Sequence, residues 1–356
     1  MDKEDPRYLR GARSFVLGRF ESVAREAFDD GWTPEEPDTR KLKTSVTLER
    51  ARSIISRNDS PDIGFSQSIN PYRGCEHGCP YCYARPSHAY LELSPGLDFE
   101  TRLFAKTNAP ELVREELAKP GYKPSPIALG ANTDCYQPIE RKYRITRQLL
   151  EVLAECEHPV TIVTKAALVE RDLDILGPMA GKNLVKVFVS IGTLDRGIAR
   201  KIEPRAASPQ RRLDVLKALS KAGVPCGVMV AALVPALNDK TMEQVLEAAA
   251  AAGATEAAYV ILRLPYELKA VFKEWLAEHY PQRAEHVMSI VRQMRGGREN
   301  DPSFGSRMSG TGNYAELMEK RFDIACRRLG LNKRETPDLD CGRFRPPSPQ
   351  GQLKLL

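Results

Sequence analysis

From about residue 125 the chain alternates short apolar runs with amphipathic stretches, a rhythm that commits it to a sheet covered by helices. The segments 126–130, 159–164, 184–191, 226–234 and 257–264 are apolar and mostly β-branched. Helical patterns separate them at 146–157, 170–182, 209–222 and 240–252. Leu149, Leu150 and Leu153 give the first of these its spacing, and Ser208 with Pro209 supplies a cap and a first-turn proline for the third. Strands that are apolar throughout, rather than alternating, belong to a parallel sheet buried on both faces. A further unit is expected upstream: a strand near 65–70, a long loop, and a helix at 110–119. Six βα units fit either an open doubly wound sheet or a partial (β/α) barrel, and periodicity does not separate the two.

The flanks read differently. Residues 1–64 look like an N-terminal extension with helical material at 12–28 and 46–56. Residues 65–265 form the core unit, 266–330 a helical C-terminal region, and 331–356 a mobile or loosely draped tail. With 42% apolar and 28% charged residues over 356 positions, a globular chain with a sizeable core is expected. The net charge of +6 permits an anionic partner without demanding one. The charged start is unlike a secretory signal, and the longest uncharged run, 224–238, is too short to cross a bilayer. The expectation is therefore a cytoplasmic protein with no membrane partner.

Three of the eight cysteines fall within eight positions, in Cys75-Glu-His-Gly-Cys79-Pro-Tyr-Cys82. In a reducing compartment such a cluster signals metal or redox chemistry rather than cross-linking. Gly74, Gly78 and Pro80 let the loop bend around an inorganic core. Structural zinc wants four protein ligands, which His77, His88 or Cys135 would have to complete. An iron–sulfur cluster on three thiolates leaves one iron open. A zinc-binding interaction module and a simple electron carrier are the rival readings.

The CxxxCxxC triplet, with an aromatic residue before its third cysteine, resembles the signature of the radical S-adenosylmethionine (radical SAM) superfamily. Asn70-Pro-Tyr-Arg-Gly-Cys75 and Cys82-Tyr-Ala-Arg-Pro86 resemble the branch that includes spore photoproduct lyase and its uncharacterised relatives. The resemblance covers roughly 65–265 and implies a partial (β/α)6 TIM-type barrel. It further implies a [4Fe–4S] cluster on Cys75, Cys79 and Cys82, and SAM as its partner. Reductive cleavage of SAM would yield a 5′-deoxyadenosyl radical, with the electron delivered by a protein such as flavodoxin or ferredoxin. The substrate is not readable; family analogy suggests nucleic acid.

In a barrel of parallel strands, functional groups gather at strand C-termini. Asn132, Thr133 and Asp134 follow the first of the five later strands; Thr164 and Lys165, Ser190, and Arg263 follow three others. By position, Tyr81 and Tyr83 would wall the adenine pocket, and Thr133 with Asp134 would receive the SAM amino group. Lys165 would pair with the SAM carboxylate, and Ser190 would reach the carboxylate or a ribose hydroxyl. Glu203-Pro204-Arg205 is a further lining candidate. Spore photoproduct lyase carries a hydrogen-donating cysteine three residues before the aspartate corresponding to Asp134. Here that position is Ala131, and Cys135 is the speculative catalytic substitute. Thymine-dimer repair is therefore an alternative that does not transfer directly.

Weaker signals are the glycine-rich run 305–312, a basic strip of Arg292, Arg295, Arg298 and Arg307, and residues 136–140 as substrate contacts. His158, His279 and His286 read as surface residues.

Overall fold

The computed structural model describes residues 10–21, 42–333 and 338–347. Ten strands make two sheets: β1 (Ser45–Glu49), β2 (Ile55–Arg57), β3 (Gln67–Ile69), β4 (Tyr72–Arg73), β5 (Arg102–Lys106), β6 (Ile127–Leu129), β7 (Val160–Thr164), β8 (Val185–Ser190), β9 (Cys226–Leu233) and β10 (Glu256–Ile261). The larger sheet runs β10-β9-β8-β7-β6-β3-β2. Its members are parallel except β2, which runs antiparallel to β3 at the edge. From β3 to β10 the order follows the sequence without reversal. A doubly wound sheet reverses at a switch point, so that alternative gives way to a singly wound sheet. Among the described residues β2 and β10 stay unpaired with each other, and the sheet is open.

Burial explains why these segments are strands. Val160 and Ile162 in β7, and Val185, Val187 and Val189 in β8, are fully buried. The helix Ile145–Glu155 turns Leu149, Leu150 and Leu153 onto them, as its spacing predicts. Helix Pro209–Lys221 begins where Ser208 accepts a hydrogen bond from the Arg211 amide at 3.3 Å.

Several expectations need correction. Residues 12–21 are not helical, while 22–28 lie outside the described residues. Residues 46–56 form β1 and the start of β2, and β1 joins β5 and β4 in a three-stranded sheet that the sequence reading did not anticipate. The helical stretch after 266 is two helices, Leu268–His279 and Ala284–Met294, broken where Pro281 interrupts the pattern. His158 is fully buried rather than exposed. The described part of the tail is docked, not draped: the Phe344 ring packs 5.4 Å from both Tyr122 and His158, and the Arg345 amide donates to Cys156 O at 2.9 Å.

Candidate functional site

Because β3 and β6–β10 are parallel, their C-terminal ends open on one rim, and the cysteine loop after β4 lies against it. Positive φ at Gly74 (+73°) and Gly78 (+69°) bends the loop, and Cys75 and Cys79 are buried while Cys82 is half-buried. A buried polar network holds the loop from behind. Gln137 donates from Nε2 to Gly74 O (2.9 Å) and accepts the Glu76 amide (3.0 Å). Arg85, fully buried, donates to Cys79 O (2.8 Å), Pro95 O (3.1 Å) and Gly96 O (2.8 Å), and pairs with Glu100 (2.5 Å). Glu100 in turn accepts the amides of Gly11 (3.0 Å) and Ala12 (2.7 Å), strapping the N-terminal segment over the loop.

The thiols sit among the strand-end charges. Burial pushes the Cys79 thiol up to about 12; Lys165 works against that rise and Glu203 adds to it. Cys75 is likewise raised, by burial and then by Asp134 and the two neighbouring cysteines. Lys165 Nζ lies 5.8 Å from the Tyr81 ring centroid. Burial works to lower the Lys165 pKa, but Glu203 and Cys79 outweigh it, and the amine stays charged. The Tyr81 hydroxyl donates to Glu203, which also pairs with Arg212 at 2.5 Å. Arg212 donates to Ser190 O at 2.9 Å, and the Ser190 hydroxyl donates to Ala231 O at 3.2 Å. Tyr83 is half exposed; its hydroxyl donates to Ala131 O, and the Arg263 guanidinium carbon stands 5.9 Å from its ring centroid.

Asp134 is heavily engaged. It accepts from the Thr164 hydroxyl (2.7 Å) and the amides of Lys165 (2.7 Å) and Tyr136 (2.9 Å). His77 Nδ1 is 3.3 Å away, in ion-pair range without hydrogen-bond alignment. Burial alone would raise the Asp134 carboxyl, yet His77 and these donors hold it down at about 2. Asp134 thus pins the ends of β6 and β7 together. Thr133, also buried, donates to Tyr72 O at 3.0 Å.

The structure brings Tyr81, Asp134, Lys165 and Glu203 to the thiols, with Ser190 linked through Arg212. It does not bring Cys135 there. That residue is fully enclosed in the main core, where burial raises its thiol pKa. Residues 136–140 are internal supports as well: Tyr136 donates to Asp172 (3.0 Å), and Glu140 is buried against Tyr72 and Arg171. The basic strip is also dispersed. Arg295 is buried on the carbonyls of Leu262 and Ser306, Arg307 pairs with Asp62, and Arg292 pairs with Glu285. Sequence reasoning missed Arg85, Glu100 and Arg212, although Arg85 stands three residues past Cys82.

Residues 69–249 match the radical SAM superfamily, and the chain belongs to it. An uncharacterized protein of Mycobacterium tuberculosis (strain H37Rv) is 38% identical over 279 residues, 77% of this chain and 78% of that one. An uncharacterized protein of Methanocaldococcus jannaschii is 27% identical over 248 residues, 69% of this chain and 87% of that one. Among solved structures, spore photoproduct lyase complexed with dinucleoside spore photoproduct superposes with a TM-score of 0.59 at 16% identity over 80% of each chain. At that identity the likeness concerns the fold. No helix among the described residues is long and apolar enough to cross a membrane.

Proposed function

We propose that this protein is a radical SAM enzyme that cleaves SAM reductively at a [4Fe–4S] cluster held by Cys75, Cys79 and Cys82. The observation that carries the reading is the seating of that thiol loop against Lys165, Glu203 and Asp134 at the strand ends. The donor set fits a cluster. Among the described residues, no three Cys, His, Asp or Glu side chains are grouped to hold one metal ion, and a single zinc would need its sulfurs about 2.3 Å away. A cluster held by Cys75, Cys79 and Cys82 would need no fourth protein ligand. Of the fourth zinc ligands the sequence offers, Cys135 is enclosed in the core and His88 Nε2 is 2.9 Å from Arg102 O, while His77 Nδ1 lies 3.3 Å from Asp134.

The cluster, when bound, supplies the electron that breaks the sulfonium bond and yields a 5′-deoxyadenosyl radical. The protein's part is orientation. The charged Lys165 ammonium meets the SAM carboxylate, with Glu203 and Arg212 fixing its position. The rings of Tyr81 and Tyr83 would flank the adenine, Ser190 would face the ribose, and Thr133 with Asp134 would shape the amino-group end. The bridge by Tyr83 from the end of β6 to the end of β10 supports a sheet curled into a partial (β/α)6 barrel, since four spacings of a flat sheet span about 19 Å. The electron donor is proposed to be a flavodoxin or ferredoxin. Ala131 at the donor position and the enclosure of Cys135 favour a reaction other than thymine-dimer repair.

Anaerobically reconstituted protein given SAM and a strong reductant is expected to release 5′-deoxyadenosine, and the Cys79→Ala variant to release none. One zinc per chain without sulfide overturns the reading. The Lys165→Met variant should bind SAM about tenfold more weakly, the worth of one charge-assisted contact, with iron content unchanged.

A further inference from the structure

Beside the rim, and separate from the thiols, lies a cavity of about 270 Å³ whose lining is mostly polar. Lys106 at the end of β5, Arg73 in β4, Ser53, Ser56, Ser87 and Asn132 are among its lining residues; Ser53 and Ser56 are exposed, Lys106 and Ser87 half-buried. Arg73 is already matched, donating from Nε and Nη2 to the two oxygens of Glu49 at 2.9 Å each. Lys106 is not: among the described residues its ammonium makes no ion pair within 4 Å. The three serine hydroxyls have no hydrogen-bond partner among the described residues. Burial and the neighbouring Arg73 both lower the Lys106 pKa, with Glu49 opposing. Two like charges share a wall that one carboxylate neutralises only in part. An anion between the free ammonium and the hydroxyls would relieve that cost.

The place of the cavity gives it meaning. Asn70 also lines it, and its Oδ1 accepts the Asn132 amide at 2.9 Å, tying the C-terminal ends of β3 and β6 together. The next residues along are Thr133 and Asp134, so a group held here stands beside the proposed SAM pocket without occupying it. Ser87 follows the cysteine loop by five positions and closes the other side.

We propose that this cavity is a phosphoryl-binding subsite that anchors the substrate of the enzyme, with Lys106 as its ion-pair partner and Ser53, Ser56 and Ser87 as hydroxyl donors. The donor set selects the anion. One lysine and three serines line it, a donor set that suits the several oxygens of a phosphoryl group better than the two coplanar oxygens of a carboxylate. The cavity has room for more than the bare ion, so the phosphoryl group arrives attached to the rest of the substrate. The inference deepens the enzyme reading by naming what its substrate carries.

The test is titration of the full chain with inorganic phosphate at constant ionic strength, followed by the thermal midpoint and by phosphorus NMR line broadening. Wild-type protein is expected to bind, and Lys106→Met to bind about tenfold more weakly, as loss of a charge-assisted contact implies. The double variant Ser56→Ala/Ser87→Ala is expected to weaken binding several-fold with Lys106 intact. Equal phosphate affinity in wild type and both variants, or an equal effect from chloride, overturns the subsite. Displacement by a short oligonucleotide identifies a phosphodiester as the source, whereas displacement by ribose 5-phosphate alone identifies a small phosphate ester. A SAM titration of the wild-type chain checks the enzyme reading separately, because phosphate binding at Lys106 does not depend on its outcome.

Discussion

His158 shows what a buried neutral ring costs once it must take a proton. It is fully enclosed, with Nδ1 3.0 Å from Pro159 O and Nε2 2.9 Å from the Tyr122 hydroxyl, and desolvation lowers its pKa from 6.5 to about 4. The unfolded chain therefore binds a proton that the folded chain refuses between those values, so stability falls as pH drops from 6.5 towards 4. The share of His158 at pH 5 is about 2 kcal/mol relative to neutral pH. His88, lowered to about 4 by burial, acts in the same direction. Urea unfolding at pH 7.5 and pH 5 should show the His158→Gln variant losing less stability on acidification than wild type by about that amount. Identical losses would mean the ring is protonated at no cost in the fold.

At the scale of the element, the cysteine loop owes its shape to Arg85 more than to its own turns. No α-helix or strand spans the thiols, and four guanidinium hydrogen bonds of Arg85 tie the Cys79 carbonyl to Pro95, Gly96 and Glu100. Replacing Arg85 by Met removes these bonds and leaves Glu100 buried without its cation, a loss of about 3–5 kcal/mol. Lysine would not rescue it, because a point charge does not reproduce the fork. Denaturant unfolding of Arg85→Met and Arg85→Lys measures both, and a loss below 1 kcal/mol would refute the role. This element also marks where sequence reading succeeds and fails. The thiols are legible because their spacing is chemistry written locally, and β6–β10 because a covered strand is predominantly apolar. Arg85, Glu100 and Arg212 are illegible because a buried charge has the same letter as a solvated one, and its partners lie 9 to 15 positions away or further. Strands β1 and β5 were missed because four of their ten residues are exposed and three are charged, which mimics a helix surface.

Across the whole molecule the two ends of the parallel strands carry different loads. At the rim, a second apolar cluster joins Cys79 and Tyr81 of the loop with Ala12, Leu97 and the C-terminal pair of helices through Trp275. Trp275 is fully buried and donates to Lys201 O at 3.0 Å, so residues beyond 265 share one packed cluster with the thiol loop. At the opposite end, residues 338–347 cross the N-terminal ends of the strands. Asn183 just before β8 donates to Asp338 O at 2.6 Å, and Phe344 covers Tyr122 and His158 near the start of β7. That end of the parallel strands lies away from the rim that carries the thiols, and its groups brace the fold. Truncating each aromatic should therefore separate the two loads. Trp275→Ala is expected to cost about 3–5 kcal/mol and to speed the loss of iron to a chelator, because the cavity opens within the cluster that includes Cys79. Phe344→Ala, half-buried, is expected to cost about 1–2 kcal/mol while SAM affinity and chelator resistance stay at wild-type values. Denaturant unfolding, SAM titration and iron release measured on both variants decide the point. Faster iron release from Phe344→Ala would show that the tail and the rim are coupled through the sheet.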